Sequence, residues 1–175
     1  MHDVQVLTPM HKGLVGTAHL NQVLQKVLNP NPVMVETTGT TFKVGDKVMH
    51  LKNNYQKDIF NGDIGTIRAV DKKEQLFSVD YYGRKVNYDF TETDEVSLAY
   101  AISVHKSQGS EYSAIILPVM VQHYVLLQRN LLYTAITRGK RLVILIGTKK
   151  ALTIALKNDM PEKRLSGLAF RLMSN

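Results

Sequence analysis

The sequence predicts an α/β fold in which a parallel sheet is covered by helices and a small antiparallel β-barrel is inserted. Near both ends, apolar runs of strand length alternate with helical segments. In the middle, β-branched and aromatic runs are broken about every eight to twelve residues by Gly, Asn and Asp. Insertions at loops are tolerated when the two ends of the inserted module lie close together. We therefore divide the chain into a discontinuous sheet domain, residues 1–40 and 98–175, and an inserted barrel, residues 41–97.

The first flank has the pattern of a strand followed by a helix. Residues 3–9 form a short apolar run that Pro9 stops. From Gly13 to Leu28, apolar residues recur at helical spacing, and the Asn-Pro-Asn-Pro run at 29–32 ends that pattern. A strand that leads directly into a helix is the repeating unit of a parallel sheet.

The middle region predicts about five antiparallel strands. Four runs are explicit: Asp46–Leu51, Gly65–Val70, Leu76–Tyr82 and Arg84–Phe90. The turns at 61–63 (Asn-Gly-Asp) and 82–84 (Tyr-Gly-Arg) supply residues that tolerate a positive φ.

The second flank returns to strands and helices. The predicted strands are Leu98–Val104, Ala114–Val119 and Arg141–Gly147, and the predicted helices are Tyr124–Thr137 and Lys149–Lys157. The first of these helices is apolar on more than one face, which predicts burial. On it, Tyr133 is interpreted as a core residue in preference to a functional one.

Composition favours a polyanionic partner. The net charge is +7, and the barrel has nine Lys/Arg against ten Asp/Glu, whereas the flanks have thirteen against five. Lysines scattered for solubility would give the same total. The chain has no cysteine, and its six histidines do not fall at metal-ligand spacing, so no metal site is expected. No membrane span or secretory signal is present, which predicts a soluble, cytoplasmic protein.

A polar loop follows the predicted strand that ends at Val104. Over residues 103–111 it offers hydroxyls, cations, an amide, a glycine and a carboxylate, which suit a phosphate-lined site. Such loops at the carboxyl ends of strands hold ligands in open α/β sheets. Gly109 would allow close approach of the backbone to a ligand. A solvated turn of ordinary composition is the alternative.

A second segment joins a helix to a strand at Thr137-Arg138-Gly139. Gly139 can cap the helix, and Arg138 and Lys140 would complement the negative end of its dipole. An arginine held at a helix end could instead reach a phosphate, since the planar guanidinium fits phosphate in a way that lysine cannot.

Three strings resemble motifs of superfamily 1 helicases of the RecD-like branch, which includes the exonuclease V alpha chain, and they occur in that family's order. The opening, Val6–Gly16, resembles the motif IV region. His-Lys-Ser-Gln-Gly-Ser-Glu at 105–111 resembles motif V, and Tyr-Thr-Ala-Ile-Thr-Arg at 133–138 resembles motif VI. The resemblance implies a second RecA-like domain, a parallel sheet with helices on both faces, which carries an SH3-like barrel.

The resemblance also implies roles for single residues. Arg138 would be the arginine finger, Gly109 would lie near the γ-phosphate of ATP, Glu111 near its ribose, and Lys12 would contact phosphate. Residues expected at single-stranded DNA are Ser103, His105, Lys106 and Ser107. On the barrel, basic and aromatic side chains could add stacking and phosphate contacts, which makes Lys52, Tyr55 and Arg84 candidates. The barrel could equally be a spacer.

No phosphate-binding Gly-x-x-x-x-Gly-Lys-Ser/Thr string occurs, so ATP and Mg²⁺ should be held mainly by a separate N-terminal RecA-like domain. The expectation is the C-terminal part of an ATP-dependent helicase that moves 5′ to 3′ on DNA and cannot hydrolyse ATP alone. Whether nuclease or helicase subunits accompany it stays open. The competing hypothesis is a non-catalytic nucleic-acid-binding module with an SH3-like barrel.

Overall fold

The computed structural model describes residues 4–36, 40–121 and 126–159. A parallel sheet is built from β1 (Val4–Thr8), β9 (Ala101–Ser103), β10 (Tyr112–Val119) and β11 (Gly139–Gly147), in the order β11-β10-β1-β9. Helix α1 (Thr17–Leu28) packs against β9, whereas α2 (Arg129–Ile136) and α3 (Lys149–Lys157) pack against each other beside β11. The predicted parallel sheet with helices is confirmed.

The first predicted strand is confirmed within one residue at each end, but α1 begins later than the periodicity predicts. Residues 13–16 form a turn, in which Gly13 has φ +92° and the amide of Gly16 donates to the Gly13 carbonyl. A side chain at position 16 would collide with the backbone carbonyls of His11 and Lys12. The apolar periodicity therefore begins before the first residue that adopts helical geometry.

The middle of the chain forms the predicted five-stranded antiparallel sheet. Its strands are β4 (Lys47–His50), β5 (Ile64–Asp71), β6 (Leu76–Tyr81), β7 (Arg84–Asp89) and β8 (Val96–Leu98), in the order β7-β6-β5-β4-β8. A 3₁₀ helix, Phe90–Glu95, joins β7 to β8, and a separate ribbon pairs β2 (Met34–Glu36) with β3 (Thr41–Lys43).

The hairpin between β6 and β7 has a two-residue turn with a positive φ at both central positions, 54° at Tyr82 and 93° at Gly83. Such turns match the twist of the flanking strands. Gly62, in the other predicted turn, also has a positive φ of 101°. Both turn predictions are therefore confirmed.

The single strand predicted at Leu98–Val104 is wrong. Val96–Leu98 pairs antiparallel with β4, whereas Ala101–Ser103 pairs parallel with β1. The two residues between them are buried, so the apolar run continues through the junction of two sheets. Periodicity cannot divide a buried run between two sheets.

The predicted burial of the motif VI helix holds for one face only. Leu132 and Ala135 are buried, but Tyr133 is 69% exposed, so its interpretation as a core residue is wrong. The predicted helix start at Tyr124 lies outside the described residues, and the described helix begins at Arg129. Strand β11 forms one edge of the parallel sheet and exposes apolar side chains, including Leu142 at 51%.

Candidate functional site

The register of the parallel sheet defines two edges. Thr8 of β1 pairs with Ser103 of β9 at the ends of both strands, which we call the carboxyl edge. Tyr112 of β10 pairs with Gly139 of β11 where both strands begin, which we call the amino edge. Strand β1 relates the two edges, because Val4 pairs with Ala114 and Thr8 pairs with Ser103. Along the strand direction, Tyr112 is therefore about six residues, roughly 20 Å, from the level of Ser103.

The loop over residues 104–111 connects these two edges. Its first residue donates its amide to the Thr8 carbonyl at the carboxyl edge, and its last residue precedes Tyr112 at the amino edge. The sequence argument placed the whole loop at the carboxyl ends of the strands, and that placement is corrected. The loop therefore separates the residues predicted for DNA from those predicted for nucleotide.

At the amino edge, Arg138 is bonded to the loop and to its own helix. Its backbone carbonyl accepts the amide of Tyr112 at 2.8 Å. The guanidinium donates from Nη1 to the Ser110 carbonyl at 3.3 Å and from Nε to the Thr134 carbonyl at 3.2 Å. Within the described part of the chain, no carboxylate forms an ion pair with Arg138. The side chain is oriented by neutral acceptors alone, which leaves its charge available to an anion.

Gly139 does not cap the helix as predicted. The cap of α2 is Thr137, with φ −68° and ψ −6°, and Gly139 is the first residue of β11. A Cβ at position 139 would lie 2.9 Å from Cγ2 of Val143 and 3.2 Å from Cγ1 of Ile115. The glycine is therefore required by close packing at the start of the strand.

Glu111 is paired with a lysine at the same edge. Its Oε2 is 2.8 Å from Nζ of Lys140. The hydrogen bond and the charge of Lys140, with a smaller effect of Arg138, lower the pKa of the Glu111 carboxyl. Sequence reasoning gave Lys140 a helix-dipole role and missed this pair, although its position two residues after Arg138 was a usable signal.

Gly109 has a φ of +83°, a region that side-chain-bearing residues rarely adopt. A Cβ built at this position meets no atom within 4 Å. Its backbone therefore faces open space, as close approach of a ligand would require.

Ser107 is corrected as a candidate for DNA contact. It is fully buried, and its hydroxyl donates to the Val104 carbonyl at 2.7 Å. The hydroxyl of Ser103 accepts the amide of Lys106 at 3.2 Å, while the side chains of His105 and Lys106 are exposed. The serine at 107 shapes the 3₁₀ turn His105–Ser107, and its neighbours carry the exposed groups.

A groove of about 910 Å³ opens at the carboxyl edge between α1, β9 and the barrel. Its lining includes His11, Ser103 and Lys106 from the sheet domain, and Thr93 and Ser97 from the barrel. The cavity is large enough for a ligand of several hundred Å³.

Lys12 lies apart from the other residues predicted for nucleotide contact. It lies in the loop after β1, where the amide of Ala18 donates to the carbonyl of neighbouring His11. This loop is at the carboxyl edge, whereas Gly109, Glu111 and Arg138 lie at or near the amino edge. The structure does not bring Lys12 together with those three residues.

The barrel cations predicted to contact DNA are already paired with carboxylates. Lys52 lies 2.8 Å from Asp94, and Arg84 lies 2.6 Å from Asp58. Tyr55 is 78% exposed and stands edge-on to the ring of Phe60, so it remains a candidate for stacking.

Three further basic or aromatic residues of the barrel are Lys57, Tyr81 and Tyr82. Lys57 pairs with Glu92 at 2.7 Å and lies over the ring of Tyr88. Tyr81 is buried and hydrogen-bonded to Tyr88, so its ring cannot stack on a base, whereas Tyr82 is exposed.

The described residues contain no cluster of three or more His, Asp or Glu side chains arranged to hold a metal ion. None of the helices in the described ranges combines the length and the apolar character needed to cross a bilayer.

The sequence matches two family profiles. Residues 20–81 match the SH3 domain of ATP-dependent RecD-like DNA helicases, and residues 98–146 match the UvrD-like helicase C-terminal domain. The first match includes most of α1 together with much of the barrel.

Curated relatives are considerably longer than this chain. The ATP-dependent RecD2 DNA helicase of Deinococcus radiodurans is 38% identical over 172 residues, which cover 98% of this chain and 24% of that protein. The RecBCD enzyme subunit RecD of Mycobacterium tuberculosis is 29% identical over 178 residues, which cover 99% of this chain and 29% of that protein. The chain thus spans about a quarter of the length of such relatives.

Solved helicases share the fold. The Pif1 helicase from Bacteroides, in complex with ADP-AlF3 and ssDNA, superposes with a TM-score of 0.59 at 18% identity, over 100% of this chain and 47% of that one. Pif1 from Candida albicans gives 0.55 at 15% identity, over 97% and 50% of the two chains. The two profile matches and the relatives show that the chain belongs to the RecD-like DNA helicases and corresponds to their C-terminal region.

Proposed function

We propose that this chain supplies the motif IV, V and VI half of an ATP-dependent DNA helicase that moves 5′ to 3′. A preceding RecA-like domain would hold most of ATP and its Mg²⁺. In this proposal, residues 1–40 and 98–175 form the second RecA-like domain, and residues 41–97 form its SH3-like insertion. The direction of movement comes only from the resemblance to RecD-like helicases.

One observation carries the proposal: the guanidinium of Arg138 and the loop that ends at Glu111 share one edge of the sheet. The bond from Arg138 to the Ser110 carbonyl holds the two segments together. A cation oriented by neutral acceptors, beside a backbone open at Gly109, suits a phosphate that arrives from a facing domain.

The residues present fit part of an ATP site. Arg138 would face the γ-phosphate and stabilise the charge that develops during hydrolysis. Gly109 would let the loop approach the phosphates, and Glu111 would accept hydrogen bonds from the ribose hydroxyls. Bound ATP would supply the phosphoryl group for hydrolysis, and this chain's part is to orient and stabilise it.

The groove at the carboxyl edge suits single-stranded DNA. Ser103, Lys106 and His11 of the lining offer a hydroxyl and two basic groups to phosphate, and the exposed His105 is adjacent to Lys106 in the loop. The Pif1 structure that shares this fold was solved with ssDNA, which supports this class of partner. Because some relatives are named as the RecD subunit of the RecBCD enzyme, the proposal extends to associated nuclease or helicase subunits.

The test is substitution of Arg138 in this chain joined to a RecA-like domain that contains the phosphate-binding loop. We expect Arg138→Ala to reduce DNA-stimulated ATP hydrolysis by about three to five orders of magnitude. Arg138→Lys should not restore the rate, because an ammonium group cannot copy the planar guanidinium. Arg141→Ala, which removes an exposed arginine of β11, is the matched control. An unchanged rate for Arg138→Ala would end the proposal.

The non-catalytic alternative predicts that the groove binds DNA without a further domain. A binding module predicts strong, steeply salt-dependent affinity of the 175-residue chain for single-stranded DNA. A motor half predicts weak binding by the chain alone and strong binding only when the preceding RecA-like domain is joined. Titration of a fluorescent oligonucleotide with both proteins separates the two outcomes.

A further inference from the structure

Helix α1 turns a polar stripe towards the barrel. Its buried residues are Thr17, Asn21 and Gln25, and its cap residue Asn29 is buried as well. The apolar Val27 of the same helix is exposed. A surface helix ordinarily buries its apolar face. Here Leu24 packs against the barrel core, and the buried polar side chains add hydrogen bonds across the same contact.

Asp46 lies at the centre of this contact and is fully buried. Its Oδ1 accepts from Nδ2 of Asn29 at 2.7 Å and from the hydroxyl of Tyr100 at 2.9 Å. Its Oδ2 accepts from Nε2 of Gln25 and from the amide of Lys43 at 2.7 Å. Four donors from three separate segments of the chain therefore converge on one carboxylate.

Similar bonds fix the segment in which the chain leaves the barrel and enters β9. Nδ2 of Asn21 donates to the carbonyls of Leu98 and Ala101, and its Oδ1 accepts the Ala101 amide at 2.8 Å. Nε2 of Gln5 donates to the carbonyls of Ala99 and Tyr100, both at 3.1 Å.

Lys47 completes the set from the barrel side, because its Nζ donates to Oε1 of Gln5 at 2.7 Å. We call the whole set the polar seam, and its members are Gln5, Asn21, Gln25, Asn29, Asp46, Lys47 and Tyr100.

The chemistry of the seam distinguishes it from ordinary core packing. Apolar side chains tolerate small sliding movements, whereas a buried polar group that loses its partner is left unsatisfied at a high cost in free energy. Met49 and Ile64 of the barrel also pack into the core of the sheet domain, but such contacts are not directional. The seam therefore defines one orientation of the barrel on the sheet.

The seam lies beside the groove at the carboxyl edge. Asn21 and Gln25 line that groove, together with Thr93 and Ser97 from the barrel and Lys106 from the loop. Any rotation of the barrel about the seam would change the width of the groove.

We propose that Asp46 is a positioning residue that locks the barrel to α1 and Tyr100 and thereby fixes the width of the groove. The part of the proposal that concerns DNA rests on the proposed function. The part that concerns orientation stands on the contacts alone.

The first test measures the orientation directly. The chain has no cysteine, so Asn87→Cys on β7 and Lys150→Cys on α3 give two exposed, unique sites for spin labels. We expect one narrow distance distribution in the doubly labelled parent chain. Asp46→Asn replaces an acceptor oxygen by a donor, so two donors lose their acceptor, and the distribution should broaden. The displaced population should rise about tenfold or more.

Asp71→Asn is the matched control, because Asp71 is an exposed barrel carboxylate that accepts only the amides of Lys73 and Glu74. Its distribution should stay narrow. If Asp46→Asn unfolds the chain, Tyr100→Phe decides the question, since it removes one bond to Asp46 and keeps the ring. If Asp46→Asn folds and gives a narrow, unshifted distribution, the proposal is overturned. If Asp46→Asn does not fold, the same result for Tyr100→Phe overturns it.

The second test uses the chain joined to the preceding RecA-like domain. With Asp46→Asn, the DNA concentration that gives half-maximal ATPase stimulation should rise about tenfold, while the KM for ATP stays unchanged. A role in folding alone would lower the active fraction and move neither value. If the unsubstituted protein shows no DNA-stimulated ATPase, the proposed function fails while the distance measurement still decides the role of Asp46.

Discussion

The barrel and the parallel sheet differ in how each region satisfies its own charges and apolar surface. In the barrel, the cations Lys52, Lys57 and Arg84 all face carboxylates of the same region. In the sheet domain, Arg138 has only neutral oxygen acceptors among the described residues, and β11 exposes apolar side chains. The barrel thus neutralises these surface cations within itself, whereas the sheet domain presents groups suited to a facing partner.

The largest expected effect tests the completeness of the barrel core. Phe77 is buried and stacks on Phe42 and Tyr88, with ring centroids 6.4 and 5.0 Å away. Phe77→Ala should lower the free energy of unfolding by about 3–5 kcal/mol, because it leaves a cavity between two rings. Urea denaturation followed by circular dichroism measures the loss.

Leu142→Ala on β11 is the counterpart in the sheet domain. Its side chain is half exposed, so the free energy of unfolding should change by less than about 0.5 kcal/mol. Equal losses of unfolding free energy for the two variants would contradict the distinction between the buried core of the barrel and the exposed edge strand of the sheet.

The second prediction concerns the dependence of stability on pH, because the barrel buries a titratable group. Burial, the largest influence, lowers the pKa of His50 below its ordinary value of 6.5. The charged groups that face it are Glu95 and Asp63, which raise the pKa, and Lys57 and Lys52, which lower it. Tyr88 bonds its Nδ1 at 3.2 Å.

The unfolded chain therefore binds a proton at His50 at a higher pH than the folded chain does. The contribution of His50 to the free energy of unfolding should be fully present above pH 6.5. It should fall as the pH drops below that value and level off below the pKa of His50 in the folded chain. Denaturation midpoints at pH 8 and pH 5 measure the change. His50→Gln, which keeps an acceptor for Tyr88, should reduce the difference, whereas His19→Gln on the exposed side of α1 should preserve it. Identical behaviour of the two variants contradicts the prediction.

The smallest effect compares one cation from each region in DNA binding. Lys106→Ala should reduce the slope of log affinity against log salt by about 0.7, the value for one contact to single-stranded phosphate. Arg84→Ala should change the slope little, because its guanidinium already bonds Asp58. Lys157→Ala, at the exposed end of α3, controls for net charge. A larger change for Arg84→Ala than for Lys106→Ala would move the DNA contact to the barrel.

The sequence predicted the local elements well because their signals are local. Turn residues such as Gly83 and alternating apolar runs located four of the five barrel strands within one residue. Properties that depend on pairing between distant segments were not predictable. The register that sends Ser103 and Arg138 to opposite edges, the burial of Ser107 and the exposure of Tyr133 all require the assembled sheet.

The polar seam shows the same limit more sharply. Asn21, Gln25 and Asn29 recur every four residues along α1, and that spacing is visible in the sequence. A polar stripe at that spacing ordinarily marks the solvent side of a helix. Only the position of Asp46 shows that the polar side is the buried one.

The segment between Ser103 and Tyr112 stores its spare length in a turn. It must span roughly 20 Å along the strands and about 10 Å across β1, because β9 and β10 lie on either side of that strand, and these perpendicular displacements combine to roughly 22 Å. Nine extended steps would reach about 30 Å, and the 3₁₀ turn His105–Ser107 shortens that contour length. Unwinding the turn would therefore lengthen the segment, so a displacement of one edge away from the other along the strand direction can be absorbed there.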